Sequence, residues 1–241
     1  MTQLFDHIEY TEDERTCLEL LSKYDQKEQR AILSDIIGSV RASKLIRAFE
    51  YRITNIHLAV EQPFDPHNAA AMVRSAEAMG LIHMHAITTN KEVFNAKATT
   101  QGAYHWMFLS YFKTTEKLYT HCKKRNIAIA ACTMDGETPI NALDLSKPTC
   151  LIFGNEHHGL SNKALEEADT RVCIPMYGLS ESLNLSVSAA ICCYALSTRI
   201  RNTEGASIPL NAEEESLLIV RALLKTRRFQ HISHFLASYM K

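Results

Sequence analysis

Residues 151–194, LIFGNEHHGLSNKALEEADTRVCIPMYGLSESLNLSVSAAICCY, constrain the fold more than any other stretch of the chain. One apolar run stops at Gly154, a glycine-bracketed loop runs to Gly159, and a second apolar run stops at Pro175. A polar turn, Tyr177 to Ser182, then leads into a helix that is apolar almost all round. Short strands ending in loops, with a buried helix behind them, are how an α/β sheet presents a small ligand at its carboxyl edge.

The chain before this stretch agrees. Apolar runs at 55–60, 82–87, 106–111, 127–132, 149–153 and 171–174 read as strands. Helical spacing fills 67–79, 113–125 and 183–201, with a weaker helix at 91–98. Strands alternating with helices imply a parallel sheet with helices on both faces. Pro63 and Pro66 end the first strand, Asp65 or Asn68 starts the next helix as its N-cap, and Gly80 closes that helix. Residues 12–51 read as helices with a break at Gly38; 211–228 and 230–240 read as two more. The layout is an α/β domain at 53–202 between helical extensions at 1–52 and 203–241.

A net charge of −1 names no partner, but its distribution is uneven. The start is acidic, whereas Arg221, Lys225, Arg227 and Arg228 follow the last acid, Glu215. Such a helix suits both phosphate tracking and a solvated face. Seven cysteines without a CxxC pair, most of them inside apolar runs, argue for a reducing cytoplasm and against disulfides or zinc. The acidic N-terminus is no signal peptide, and Val187–Leu196 is too short an apolar run to span a bilayer. The pairs His83/His85, His157/His158 and His231/His234 lack a third ligand, so no metal is expected. Gly154-NEHH-Gly159 lacks the Lys-Ser/Thr of a phosphate loop, and no strand is followed by GxGxxG. That excludes the usual kinase and dinucleotide chemistries.

Three segments are more specific. HNAAAMVRSAEAMG (67–80), FGNEHHGLS (153–161) and IPMYGLSESLNLSVSAAI (174–191) resemble, in order, the three motifs of the SpoU/TrmH branch of the SPOUT methyltransferases. The resemblance covers roughly residues 45–200, and the helix at 211–228 is similar to the C-terminal extension of the TrmH-type (Gm18-type) tRNA guanosine enzymes. It implies a C-terminal deep trefoil knot, a homodimer, and methyl transfer from S-adenosylmethionine to a ribose 2′-hydroxyl of RNA, with tRNA ahead of rRNA. It requires neither metal nor membrane. A catalytically idle RNA-binding protein on the same scaffold is the alternative from another class.

Carried over by position, the resemblance implies a cofactor site at Cys132, Thr133, Gly154, Asn155, Glu156, Gly159, Ile174, Met176, Ser182 and Leu183. It implies Arg74 as the principal catalytic residue, with Asn68, Glu156, Ser182 and Asn184. Arginine stays protonated, so Arg74 is expected to work with an RNA phosphate that shares the proton, or to stabilise the forming alkoxide. Asn68 lies six residues earlier, about 240° around a helix, and is expected to cap it. RNA contacts are expected at Arg47, Arg52, Arg199, Arg201, Arg221, Lys225, Arg227 and Arg228. The family's Tyr-Glu-x-x-Arg-x-Arg pattern departs here to Tyr194-Ala-Leu-Ser-Thr-Arg199-Ile-Arg201, one residue out of register and without the glutamate. Ser186, Ser188, Ala189 and Ala190 are small residues suited to close helix approach in a dimer.

Overall fold

The structure, a computed structural model, describes residues 8, 10–94 and 96–226. Its described residues divide into two compact units, one built on Ile53–Ile208 and the other on 10–52 with 209–226. The second unit contains α1 (Glu12–Leu21), α2 (Gln26–Ile37), α3 (Ser39–Glu50) and, from the far end of the chain, α9 (Ala212–Leu224). The terminal stretches therefore meet in one helical unit. Three of its helices start with capping boxes, Thr11 with Glu14, Asp25 with Glu28 and Asn211 with Glu214. Gly38, at φ +87°, ends α2 and begins α3.

The first unit runs β1 (Ile53–Glu61), α4 (Pro66–Ala78), β2 (Leu81–Ile87), α5 (Lys97–Thr100), β3 (Phe108–Phe112), α6 (Thr115–Lys124) and β4 (Ala128–Cys132). It continues through β5 (Thr138–Pro139), β6 (Thr149–Phe153), α7 (Asn162–Glu167), β7 (Thr170–Cys173) and α8 (Leu185–Asn202). All strand pairings are parallel, in the order β3-β2-β1-β6-β4-β7-β5. The chain builds outward from β1 to β3, then returns to the other side of β1. The strand order thus reverses beside β1 and β6, where α/β sheets place their ligand crevice.

Alternation along each strand fills both faces. Leu58, Val60, Ala130, Leu151 and Phe153 join α4 and α8 in one core. Ala59, Ile129, Ala131, Cys150 and Ile152 join Leu118, Tyr119 and Cys122 of α6 in the other. Helix α8 is covered along Leu185, Ala189, Cys192, Cys193, Leu196 and Ile200. Its opposite face leaves Val187, Ile191 and Tyr194 exposed. Ala189, expected above to serve close helix approach, is fully buried in the core instead.

Some elements differ from the sequence reading. The weak helix at 91–98 is a turn followed by the short α5, and the strand expected at 106–111 begins at Phe108 after a single 3₁₀ turn. Neither β5 nor α7 was expected; two and six residues are too short for a periodic signal. Helix α9 ends at Leu224, and the helix expected at 230–240 lies outside the described residues.

Candidate active site

The site begins where β1 stops. Asp65 accepts from His67 N, and Pro66 occupies the first turn, so α4 starts at once after β1 and its loop. Asp65, not Asn68, is the cap. Asn68 faces across to other loops: its Nδ2 donates to Glu156 Oε1 at 3.0 Å, and its Oδ1 accepts from Asn184 Nδ2 at 3.1 Å. Asn184 is the N-cap of α8, where its Oδ1 accepts from Ser186 N at 2.8 Å and Val187 N at 3.4 Å. Two asparagines and a glutamate thus connect the starts of α4 and α8 to the loop after β6.

Glu156 anchors that connection. Besides Asn68, it accepts from Phe64 N at 2.7 Å and Asp65 N at 3.3 Å. Burial pushes its carboxyl up, but the hydrogen bonds from Asn68 and the backbone amides outweigh this and hold it below the ordinary carboxylate range. An ionised acceptor with three donors ties the start of α4 to the loop after β6.

The loop after β6 folds back on itself. Asn155 and Gly159 exchange backbone hydrogen bonds at 2.9 Å in both directions, and Asn155 Oδ1 accepts from His157 N and His158 N. A Cβ on residue 154 would come within 2.1 Å of the Gly159 carbonyl carbon, so only glycine allows the crossing. Gly159 itself takes φ +66°. Gly178 has open space around it, and nothing in its surroundings demands glycine.

These loops enclose a cavity of about 660 Å³ at the carboxyl edge of the sheet. Cys132, Thr133, Gly154, Asn155, Glu156, Gly159, Ile174, Met176, Ser182 and Leu183 all line it, and Asn184 does too. Sequence reasoning missed Met134, Asp135, His157, His158, Leu160, Ser188 and Cys192 on the same wall. Thr133 Oγ1 is buried and has no hydrogen-bond partner among the described residues. Burial, and then the neighbouring Cys192 thiol, push the Cys132 pKa well up. Glu61, also missed, ends β1 buried and accepts from Ser161 N and Oγ at 2.8 Å and from the Thr115 hydroxyl, joining the starts of α6 and α7.

Arg74 lies outside the cavity wall. It is exposed on α4 and makes no hydrogen bond or ion pair among the described residues. Several arginines expected to meet RNA have partners within the chain or are buried. Arg52 is 5% exposed. Arg199 donates to the Ile140 and Leu143 carbonyls at 3.3 and 2.9 Å, and Arg201 to the Met79 carbonyl at 3.2 Å. Arg221 pairs with Glu14 at 2.8 Å, both side chains largely covered. Arg47 and Lys225 are exposed, and Arg227 and Arg228 lie outside the described residues. Among the described residues no acidic, histidine or cysteine group could hold a metal ion, and no helix is long and apolar enough to cross a membrane.

Fold and site define an α/β enzyme of the parallel-sheet class, with its ligand cavity at the point where strand order reverses. Residues 55–194 match the SpoU rRNA Methylase family, and the chain belongs to it. Membership of that family makes it an RNA methyltransferase. The chain is similar to the tRNA (guanosine(18)-2′-O)-methyltransferase of Escherichia coli, with 28% identity over 76% of this chain and 82% of that one. The enzyme of the same name from Borreliella burgdorferi is 27% identical over 89% of this chain and 99% of its own. Among solved structures, the TrmH/SpoU tRNA modifying enzyme of A. aeolicus superposes with a TM-score of 0.69 at 27% identity, covering 78% of this chain and 98% of that one.

Proposed function

We propose that this chain methylates the ribose 2′-hydroxyl of guanosine 18 in tRNA, in the cytoplasm, as a homodimer whose C-terminal sheet loops form a trefoil knot. The observation that carries the substrate is the reach of the similarity. It extends past residues 55–194 over 99% of the length of a relative named for that nucleotide. Within this reading, residues 53–202 are the methyltransferase body, and 1–52 and 203–241 supply helical extensions.

The cavity suits S-adenosylmethionine in size, since small-molecule sites occupy roughly 300–1,000 Å³. It is also suited in chemistry: Ile174, Met176 and Leu183 offer apolar surface for an adenine, and the partnerless Thr133 hydroxyl awaits a polar group. Bound there, the cofactor supplies a methyl group already activated by sulfonium. What remains for the protein is to aim a ribose hydroxyl and handle its proton.

Asn68, Glu156 and Asn184 hold the two loops and two helix starts in register around the hydroxyl. Arg74 stays charged, so it acts through an RNA phosphate that takes up the proton. Ser182 stands at the mouth of the cavity, beside the residues that take the ribose. Arg47 and Lys225 meet RNA phosphates, together with Arg227 and Arg228. The stripe Val187, Ile191 and Tyr194 is covered by the second copy.

The test is transfer of labelled methyl from S-adenosylmethionine into unmodified tRNA and rRNA, followed by digestion to nucleosides. The expected outcome is label in 2′-O-methylguanosine from tRNA, at least about a hundredfold less with Arg74→Ala. Label only in rRNA would overturn the substrate, and undiminished label with Arg74→Ala would overturn the role of Arg74.

A further inference from the structure

Beside the cavity, the loops after β1 and β6 are joined through Asn155 and Glu156. Asn155 Nδ2 donates to the Gln62 carbonyl at 2.6 Å, and Phe64 N donates to Glu156 Oε2 at 2.7 Å. Phe64 stands outward from this seam with 68% of its surface exposed. Its ring meets His157 edge-on, with centroids 4.6 Å apart and planes at 77°. His157 and Glu156 both line the cavity, so Phe64 flanks its mouth.

An exposed phenyl ring gives up the free energy that burial would provide. Here the backbone on both sides is fixed by hydrogen bonds, so the ring is held at the mouth of the site by design of the loops. A fixed, exposed aromatic next to a site that acts on RNA matches one ligand chemistry best. Every nucleobase has a π-face, and stacking on an aromatic side chain binds an unpaired base whatever its sequence.

We propose that Phe64, edged by His157, is the stacking platform for an unpaired base of the RNA substrate adjoining the methylated ribose. The assignment rests on the RNA 2′-O-methyltransferase reading above. Stacking fixes the base, and with it the rotation of the attached ribose, so that the hydroxyl is presented to the cavity. Phe64 therefore sets substrate affinity and orientation, and takes no part in holding the cofactor.

The test compares Phe64→Ala, Phe64→Leu and Phe64→Tyr. The dissociation constant for unmodified tRNA is measured with S-adenosylhomocysteine present, so that no turnover occurs, and KM and kcat are measured separately. Phe64→Ala and Phe64→Leu are expected to weaken tRNA binding and raise KM about tenfold, whereas Phe64→Tyr stays within about twofold. S-adenosylhomocysteine affinity is expected to be unchanged in all three. Wild-type tRNA affinity in Phe64→Ala, or full restoration by Phe64→Leu, would overturn the proposal. So would a change of oligomeric state in Phe64→Ala by light scattering, which would place the ring between copies. If the wild type transferred no methyl to RNA, the enzymatic reading would fall, while the binding series would still decide the role of Phe64.

Discussion

Asn184 Nδ2 donates to Asn68 Oδ1 at 3.1 Å, across 116 residues of sequence. The same Asn68 gives its Nδ2 to Glu156, so one amide uses both ends to tie α4, α8 and the loop after β6 together. Asn68→Ala removes both bonds at once and leaves Glu156 short of a donor. Methyl transfer is expected to fall about a hundredfold, with cofactor affinity reduced much less, because Asn68 is absent from the cavity wall. Asn68→Asp keeps the shape but sets a carboxylate against Glu156, and is expected to be no better. Steady-state kinetics beside calorimetric cofactor binding checks this; equal losses in both would refute it.

Glu156 makes that connection sensitive to pH. Its carboxyl lies below the ordinary value of 4.5 because hydrogen bonds from Asn68 and the backbone outweigh burial. A depressed carboxylate pKa means the folded state prefers the ionised form. The stabilisation is therefore complete above about pH 4.5 and is lost as pH falls through the lower, folded pKa. Glu156→Gln keeps the size of the side chain but presents donors where Phe64 N and Asp65 N also donate. Urea denaturation is expected to show the variant less stable than wild type at pH 7, with the gap narrowing as pH falls below 4.5 through the lower, folded pKa. A gap that stayed constant over this range would contradict the account.

The sheet was legible because its signals are local. Apolar runs marked six of the seven strands, Asp65-Pro66 marked the start of α4, and Gly38 marked the break between α2 and α3. The cavity wall was legible through motif residues that sit on loops leaving those strands. What escaped were partnerships across the chain. Nothing near Asn68 in sequence says that its amide bonds residues 88 and 116 positions away. Nor does anything near Arg199 or Arg201 in sequence say that they donate to backbone carbonyls 59 and 122 residues distant. Glu61 was hidden as the polar end of an apolar strand.

A second pH response comes from the opposite sheet face. His57 stacks on His83 at 4.3 Å, and its Nδ1 lies 3.0 Å from His85 Nε2, with His121 beyond and Arg125 beside it. Burial, then these neighbouring histidines, push the His57 pKa well below 6.5. The folded state thus excludes a proton that the unfolded chain accepts. Stability is expected to decline as pH falls below about 6.5, at up to about 1.4 kcal/mol per pH unit for each proton taken up on unfolding. His57→Phe removes that uptake and should flatten the decline between about pH 6.5 and 5. Chemical denaturation across this range measures both slopes; identical slopes would assign the response elsewhere.

The face of α8 turned away from the core makes the last prediction. Val187, Ile191 and Tyr194 follow one another at four and three residues, so they form one stripe on the helix. They are 46, 37 and 63% exposed, while the other side of α8 is sealed against the sheet. A single exposed apolar residue is ordinary, but three in register form a surface that water covers at a cost. A symmetric dimer would bring each stripe against its own copy. Ile191→Glu places a charge at the centre of the stripe without touching Ala189, Cys192 or Leu196 in the core. Light scattering at micromolar concentration is expected to show a dimer for the wild type and a monomer for Ile191→Glu, with the far-ultraviolet dichroism unchanged. Because Ser188 and Cys192 of the same helix line the cavity, the monomer is also expected to bind cofactor more weakly. A wild type that is monomeric, or a variant that stays dimeric, would assign this stripe to something other than self-association.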